Sequence, residues 1–149
     1  TNYHLAPDAI SPGDPDNEVT VLFNLSRNEA LLGREDAALR YLRHGLESID
    51  VGRGTSYTHS ALCLCAWMAA RRGDWRQSLR LFGAAAALRE RIGFQTPEPD
   101  ASVYEHALRL AREAAGAAAD EAFAAGKALH ENVAFDEAVA WLATLPEAS

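Results

Sequence analysis

His59 lies between Ser56 and Ser60, where an imidazole and two hydroxyls come together in this 149-residue sequence. A hydroxyl beside an imidazole is the start of a nucleophile–base pair, but no nucleophile elbow or oxyanion motif accompanies these residues. The histidines (His4, His44, His59, His106 and His130) are scattered, with no His-x-x-x-His or His-Glu-x-x-His pair to seat a metal. Asp14, Asp16 and Glu18 alternate as calcium ligands do, yet Pro15 intrudes, and the glycine and closing glutamate of such a loop are missing. Gly52-Arg53-Gly54-Thr55-Ser56 precedes a helix and could turn backbone N–H groups toward an anion, whereas no Walker-type phosphate loop occurs. Cys63 and Cys65 are two apart on an expected helix, so they point to nearly opposite sides and can neither bridge nor share a metal. Two small buried thiols in a reducing cytoplasm are the expectation. No catalytic residue, metal or cofactor is expected, and the chain reads as a binding module, with an enzyme only as a remote alternative.

Binding chemistry is better represented. Phe23 and Arg27 are four residues apart, as are Cys63 and Trp67, and Trp67 and Arg71, so each set shares one helical stripe. An aromatic and an arginine on the same stripe suit a binding hot spot. Trp75 and Trp141, by contrast, are expected to pack at a corner and in the terminal helices.

Helices must carry those stripes, and their boundaries can be read. Residues 1–18 hold Pro7, Pro12 and Pro15 without an apolar period and are expected to be a flexible leader. Residues 19–149 are expected to form a single all-α domain. A first helix should run from about Asn17 or Glu18 to Leu32 and stop at Gly33. A second starts at Glu35 and Asp36, acids well placed at a positive helix N-terminus, and continues to about Ile49. Thr55 or Ser56 can cap the third, which Gly73 ends. Asp74 and Gln77 form a capping box for the fourth, which Gly93 and Pro97 stop. Thus residues 19–93 form two helix pairs. Residues 98–149 form a three-helix terminal unit, with helices near Pro99 to Ala115, Asp120 to Glu131 and Phe135 to Leu145, about seven helices in all. The pairs echo each other at an offset of forty positions: Gly33 matches Gly73, Ala38 matches Ser78, Leu42 matches Phe82, and Gly45 matches Ala85.

The formal net charge of −7 argues against direct nucleic-acid binding. It is unevenly spread, +4 over residues 71–91 and −7 over residues 98–149. The acidic terminal helices are therefore expected to pack beside the basic pair and partly neutralise it. Lys127 is the only lysine, which fits, with the alanine excess, a GC-rich bacterial coding bias. No apolar run reaches the length of a membrane span and no signal-peptide pattern is present, so a cytoplasmic location is expected. The chain opens on Thr1, not methionine, and reads as a fragment or processed piece.

The spacing of Gly73, Asp74, Trp75, Ser78, Phe82 and Ala85 resembles the second half of a tetratricopeptide repeat, at a period of forty in place of thirty-four. The run from Leu81 to Gly93, then Tyr104-Glu105, Asp120-Glu121-Ala122-Phe123, Gly126-Lys127-Ala128-Leu129 and Asp136-Glu137-Ala138-Val139 carry a second likeness. In that order they resemble the helical-repeat regions of LuxR-family transcriptional regulators that have an upstream nucleotide-binding domain, over about residues 55–145. The resemblance implies helix pairs stacked in a right-handed superhelix, with the first helix of each pair lining the concave face. It places Phe23, Arg27, Cys63, Trp67 and Arg71 on a partner-binding groove. It implies a non-enzymatic interaction or sensing segment whose partner is a protein or a neighbouring domain of the same regulator. The alternative is a receptor that holds a small-molecule inducer between the helix pairs and the terminal unit.

Overall fold

A computed structural model describes residues 15–49, 55–96 and 99–146. Its elements, in chain order, are α1 (Pro15–Leu31), α2 (Glu35–Glu47), α3 (Thr55–Arg71), α4 (Trp75–Ile92), α5 (Asp100–Ala115), a 3-10 turn (Gly116–Ala118), α6 (Ala119–Lys127) and α7 (Glu131–Ala143). Among the described residues there is no strand, and no helix is long and apolar enough to cross a membrane. Helix α1 begins at Pro15, so residues 15–18 of the expected leader are helical. Residues 1–14 and the Gly52–Gly54 loop lie outside the described residues, as do the calcium-like and anion-loop readings that depend on them.

Helices α1 and α2 form one antiparallel hairpin, and α3 and α4 a second. Both corners are built alike. Gly33 has φ 81° and Gly73 has φ 80°, left-handed values that a side chain would strain. The Gly33 N–H donates to the Ala30 carbonyl at 3.0 Å, and the Gly73 N–H donates to Ala70 at 3.0 Å. The next N–H reaches one residue further back, from Arg34 to Glu29 at 2.8 Å and from Asp74 to Ala69 at 2.9 Å. This pair of bonds satisfies the last orphan carbonyls of a helix and turns the chain within two residues.

Inside each hairpin one buried serine ties the two helices together. The Ser26 hydroxyl of α1 donates to the Ala38 carbonyl of α2 at 2.7 Å, and the Ser78 hydroxyl of α4 donates to the Ala66 carbonyl of α3 at 2.8 Å. Ser26 and Ala66 are forty positions apart, and so are Ala38 and Ser78. The same two positions are thus bonded in both hairpins, with serine and alanine exchanged. A buried hydroxyl needs a partner, and the close helix approach supplies a carbonyl from either side.

The C-terminal helices pack on the second hairpin more than on one another. Helix α6 lies along α4, α5 contacts α3 and α4, and α7 fits against α2, α3 and α4. The α4–α6 crossing is backbone to backbone. A Cβ on Gly83 would run into the Phe123 carbonyl, and one on Gly126 would lie 2.6 Å from the Arg80 carbonyl carbon. Helix α3 becomes the centre of the fold, with residues 61–70 buried on every side. It is therefore a core helix without a solvent face.

Polar contacts pin the outer helices. Arg80 forks onto Glu137 of α7 through Nε (2.9 Å) and Nη2 (2.8 Å), and Gln77 Nε2 donates to the same carboxylate at 2.7 Å. That leaves Gln77 no side chain to complete the expected capping box. Only one half forms, with Asp74 Oδ1 accepting from the Gln77 N–H at 3.4 Å. Asp74 Oδ2 accepts instead from the Trp141 indole at 3.0 Å, joining the α3–α4 corner to α7. Arg91 pairs with Glu131 at 2.7 Å and Lys127 with Glu90 at 3.2 Å, so acids and bases of the two charge-biased regions do meet. Helix α7 starts earlier than its apolar pattern suggests because His130 caps it, Nδ1 accepting from the Asn132 N–H at 3.1 Å.

Candidate functional site

The stripe expected to face a groove lies mostly within the fold. Phe23, Cys63 and Trp67 are 7 %, 3 % and 6 % exposed, Arg27 is half-buried, and Arg71 is exposed at the corner. Each has a physical reason for its place. The Phe23 ring packs on Gly45 of α2, close enough that a Cβ there would sit 2.5 Å from the ring edge. Arg71 lays its guanidinium over Trp67, 4.9 Å from the ring centroid, and donates to the Ala30 carbonyl at 2.8 Å. It thus ties the second hairpin to the C-terminal end of α1, as a cation over an aromatic face with its hydrogen bond made. Arg27 pairs with Asp100 at 2.8 Å and donates to Asn24 Oδ1 at 3.0 Å. The first of these contacts holds the start of α5 against α1.

Helix α5 packs on α3 and α4 and reaches α1 through the Arg27–Asp100 pair, but it does not fill the space beside them. A cleft of about 340 Å³ remains between α3, α4, α5 and α6. Its apolar walls are Cys63, Phe82 and Ala85 on one side and Tyr104, Leu108 and Phe123 on the other. The Phe82 and Tyr104 rings are tilted across it with centroids 6.4 Å apart. Arg89 and Glu105 stand at the mouth, both exposed, and neither makes a salt bridge among the described residues. Tyr104 also borders a second chamber of about 170 Å³ that reaches toward Arg27, Asp100, His59 and Phe94. Burial pushes the Tyr104 phenol well above its usual range, so it stays protonated as a hydrogen-bonding group.

His59 and Cys63 meet within this region, Nε2 to Sγ at 3.7 Å. Burial, then the nearby Arg89 charge, lowers the imidazole to about 4, while burial pushes the Cys63 thiol up to about 12. Both partners are therefore neutral near pH 7. A thiolate–imidazolium pair, the state needed for a cysteine nucleophile, is disfavoured from both sides. The His59 ring stacks edge-on against Phe94 with centroids 5.1 Å apart, and its buried Nδ1 has no hydrogen-bond partner among the described residues. Cys65 is buried as well, its thiol pushed higher still by burial and then by Cys63. Both thiols are free. Among the described residues, no group of three or more His, Cys, Asp or Glu converges as a metal site.

Reading the stripe alone misses the cleft, whose residues come from four helices. A signal for it does exist in the offset of forty. Phe23 and Leu46 of the first hairpin correspond to Cys63 and Ala86 of the second. Volume that the first hairpin fills with side chains is missing from the second, and the cleft opens where it is missing. No protein-family model, no curated protein and no solved structure matches this chain.

Proposed function

We propose that this chain is a non-enzymatic interaction and sensing segment, the tetratricopeptide-like helical-repeat arm of a bacterial transcriptional regulator. In this reading the two hairpins are successive repeats in a right-handed stack, and the segment works inside the cytoplasm by contacting a protein or a neighbouring domain of the same regulator. The observation that carries it is the equivalence of the hairpins at an offset of forty: the same glycine corners, and the same interhelical bond with serine and alanine exchanged. Stacked helix pairs of this kind make extended surfaces for partners. Such a segment would act by favouring one state of the larger molecule over another, in proportion to its differential affinity for the two. The intact mass and domain content of the native polypeptide test this reading. A much longer chain with an upstream nucleotide-binding module is expected, and a native chain without one overturns the regulator assignment.

The second reading, a receptor for a small effector, is favoured by the cleft. At about 340 Å³ it lies at the small end of ligand-sized cavities, and its apolar walls with a few polar groups at the mouth are the usual composition of such sites. The two readings are compatible, because α5 touches both the hairpins and the cleft, and a ligand under α5 would bias how α5 seats.

A further inference from the structure

The charges at the mouth of the cleft narrow the ligand class, on the reading that the cleft is an effector site. The other bases of α4 that lie near the terminal helices are mostly satisfied, Arg80 by Glu137 and Arg91 by Glu131. Arg89 has no such partner among the described residues, yet its field reaches His59 and Cys63 in the cleft region. Across the mouth, on α5, Glu105 is likewise without a salt bridge among the described residues. The two do not pair with each other, although they border one cavity. The rest of the lining is mostly aromatic and aliphatic, with Phe82, Tyr104, Leu108 and Phe123, and Gln95 and Thr96 add polar groups.

A ligand matched to this arrangement has one anionic and one cationic group close together on an apolar body. A simple carboxylic acid would leave Glu105 uncompensated and close to its own charge, and a simple amine would do the same with Arg89. A dianion would set its second charge against Glu105, where a second cation is needed. We propose that the cleft binds a zwitterionic α-amino acid with an apolar or aromatic side chain. Its carboxylate meets Arg89, its ammonium meets Glu105, and its side chain lies among Phe82, Tyr104 and Phe123. The guanidinium fork suits a carboxylate held in two hydrogen bonds. The apolar cavity limits the side chain to roughly the size of leucine or phenylalanine, given the small cleft volume.

The test is the melting temperature of the protein against millimolar L-phenylalanine, L-leucine, 3-phenylpropanoate and phenethylamine, with isothermal titration of whichever stabilise it. The expected result is stabilisation by an amino acid and weaker or no stabilisation by the two single-charge analogues. Arg89→Gln and Glu105→Gln should each weaken amino-acid binding about 10-fold or more, as expected for loss of one charge-assisted contact. Both side chains are exposed, so the unliganded variants should melt close to the parent, and that measurement guards against misfolding. If the acid or the amine binds as tightly as phenylalanine, the zwitterion assignment falls while the effector-cleft reading stands. If none of the four compounds shifts the melting temperature, the amino-acid assignment falls. Binding that survives both substitutions unchanged would put the amino acid elsewhere and overturn the site.

Discussion

The two helical hairpins share a corner and an internal hydrogen bond but differ in what surrounds them. In the first, Phe23 fills the space over Gly45, and among the described helices the pair touches chiefly α3 and α7. In the second, Cys63 and Ala85 stand at the equivalent positions, and α5, α6 and α7 wrap around. Large-on-small packing fills the contact between the helices of the first hairpin. Small-on-small packing leaves the second with space that only the terminal helices cover, and they cover it incompletely. A shared backbone scheme thus yields one hairpin packed ring-on-glycine and one that is core and cleft wall together. Interiors pack to near-crystalline density, so a gap of this size between well-packed helices is informative.

The sharpest way to break this contrast is at a matched pair of positions. Trp67 and Arg27 are forty residues apart, one buried under Arg71 and the other ion-paired with Asp100. Trp67→Ala should cost roughly 3–5 kcal/mol, the usual loss for a buried large aromatic. Arg27→Ala should cost about 1 kcal/mol, since its partly exposed ion pair is worth little more. Urea unfolding of the two variants measures both. Equal losses would mean that the first hairpin is as tightly buried as the second.

Acid offers the next largest effect. His59 occupies the position that Val19 holds in the first hairpin, and both are buried. Because burial and Arg89 depress the folded imidazole to about 4, the unfolded chain binds more protons between pH 6.5 and 4. Stability should therefore be fully present above pH 6.5 and fall as the pH drops toward 4, by up to about 3 kcal/mol from this group. Glu137, held below the usual carboxylate range by its hydrogen bond from Arg80, adds a further loss at lower pH still. Thermal melts of the parent and of His59→Val across this range are the check. The variant should lose the slope between pH 6.5 and 4, and a variant with the parental slope would place the titration elsewhere.

The smallest effect sharpens the likeness. Ser26→Ala and Ser78→Ala each remove one buried hydroxyl bond to a carbonyl on the facing helix. Each should cost about 1 kcal/mol, because the accepting carbonyls belong to helices and keep their backbone partners. Closely matched losses would support equivalent crossings, whereas a near-zero value at one site would show that its hairpin can relax.

Much of this fold is legible in local patterns. Gly33, Gly73 and Gly93 mark helix ends because a left-handed backbone is cheap only for glycine, and each has positive φ. The first acids of α2 and the Asp74 cap of α4 also follow from chemistry within one turn. The start of α7 is less legible, because a histidine is an uncommon cap and the apolar period begins only near Phe135. The Phe23, Cys63 and Trp67 stripe is visible as a stripe, but nothing local says that α5 and α7 come back to cover α3. Arg89 and Glu105 look like ordinary solvated charges until the cavity between them is known.

The sequence by itself determined an all-helical chain, its two glycine corners and the offset of forty that relates its hairpins, all of which depend on contacts within a few residues. Only the tertiary structure decided which faces are buried, which charges find partners and where the cleft lies. Those outcomes turn on how helices distant in sequence fill or fail to fill a shared volume. Backbone propensity acts over one or two turns, whereas packing is a property of the whole set of helices at once.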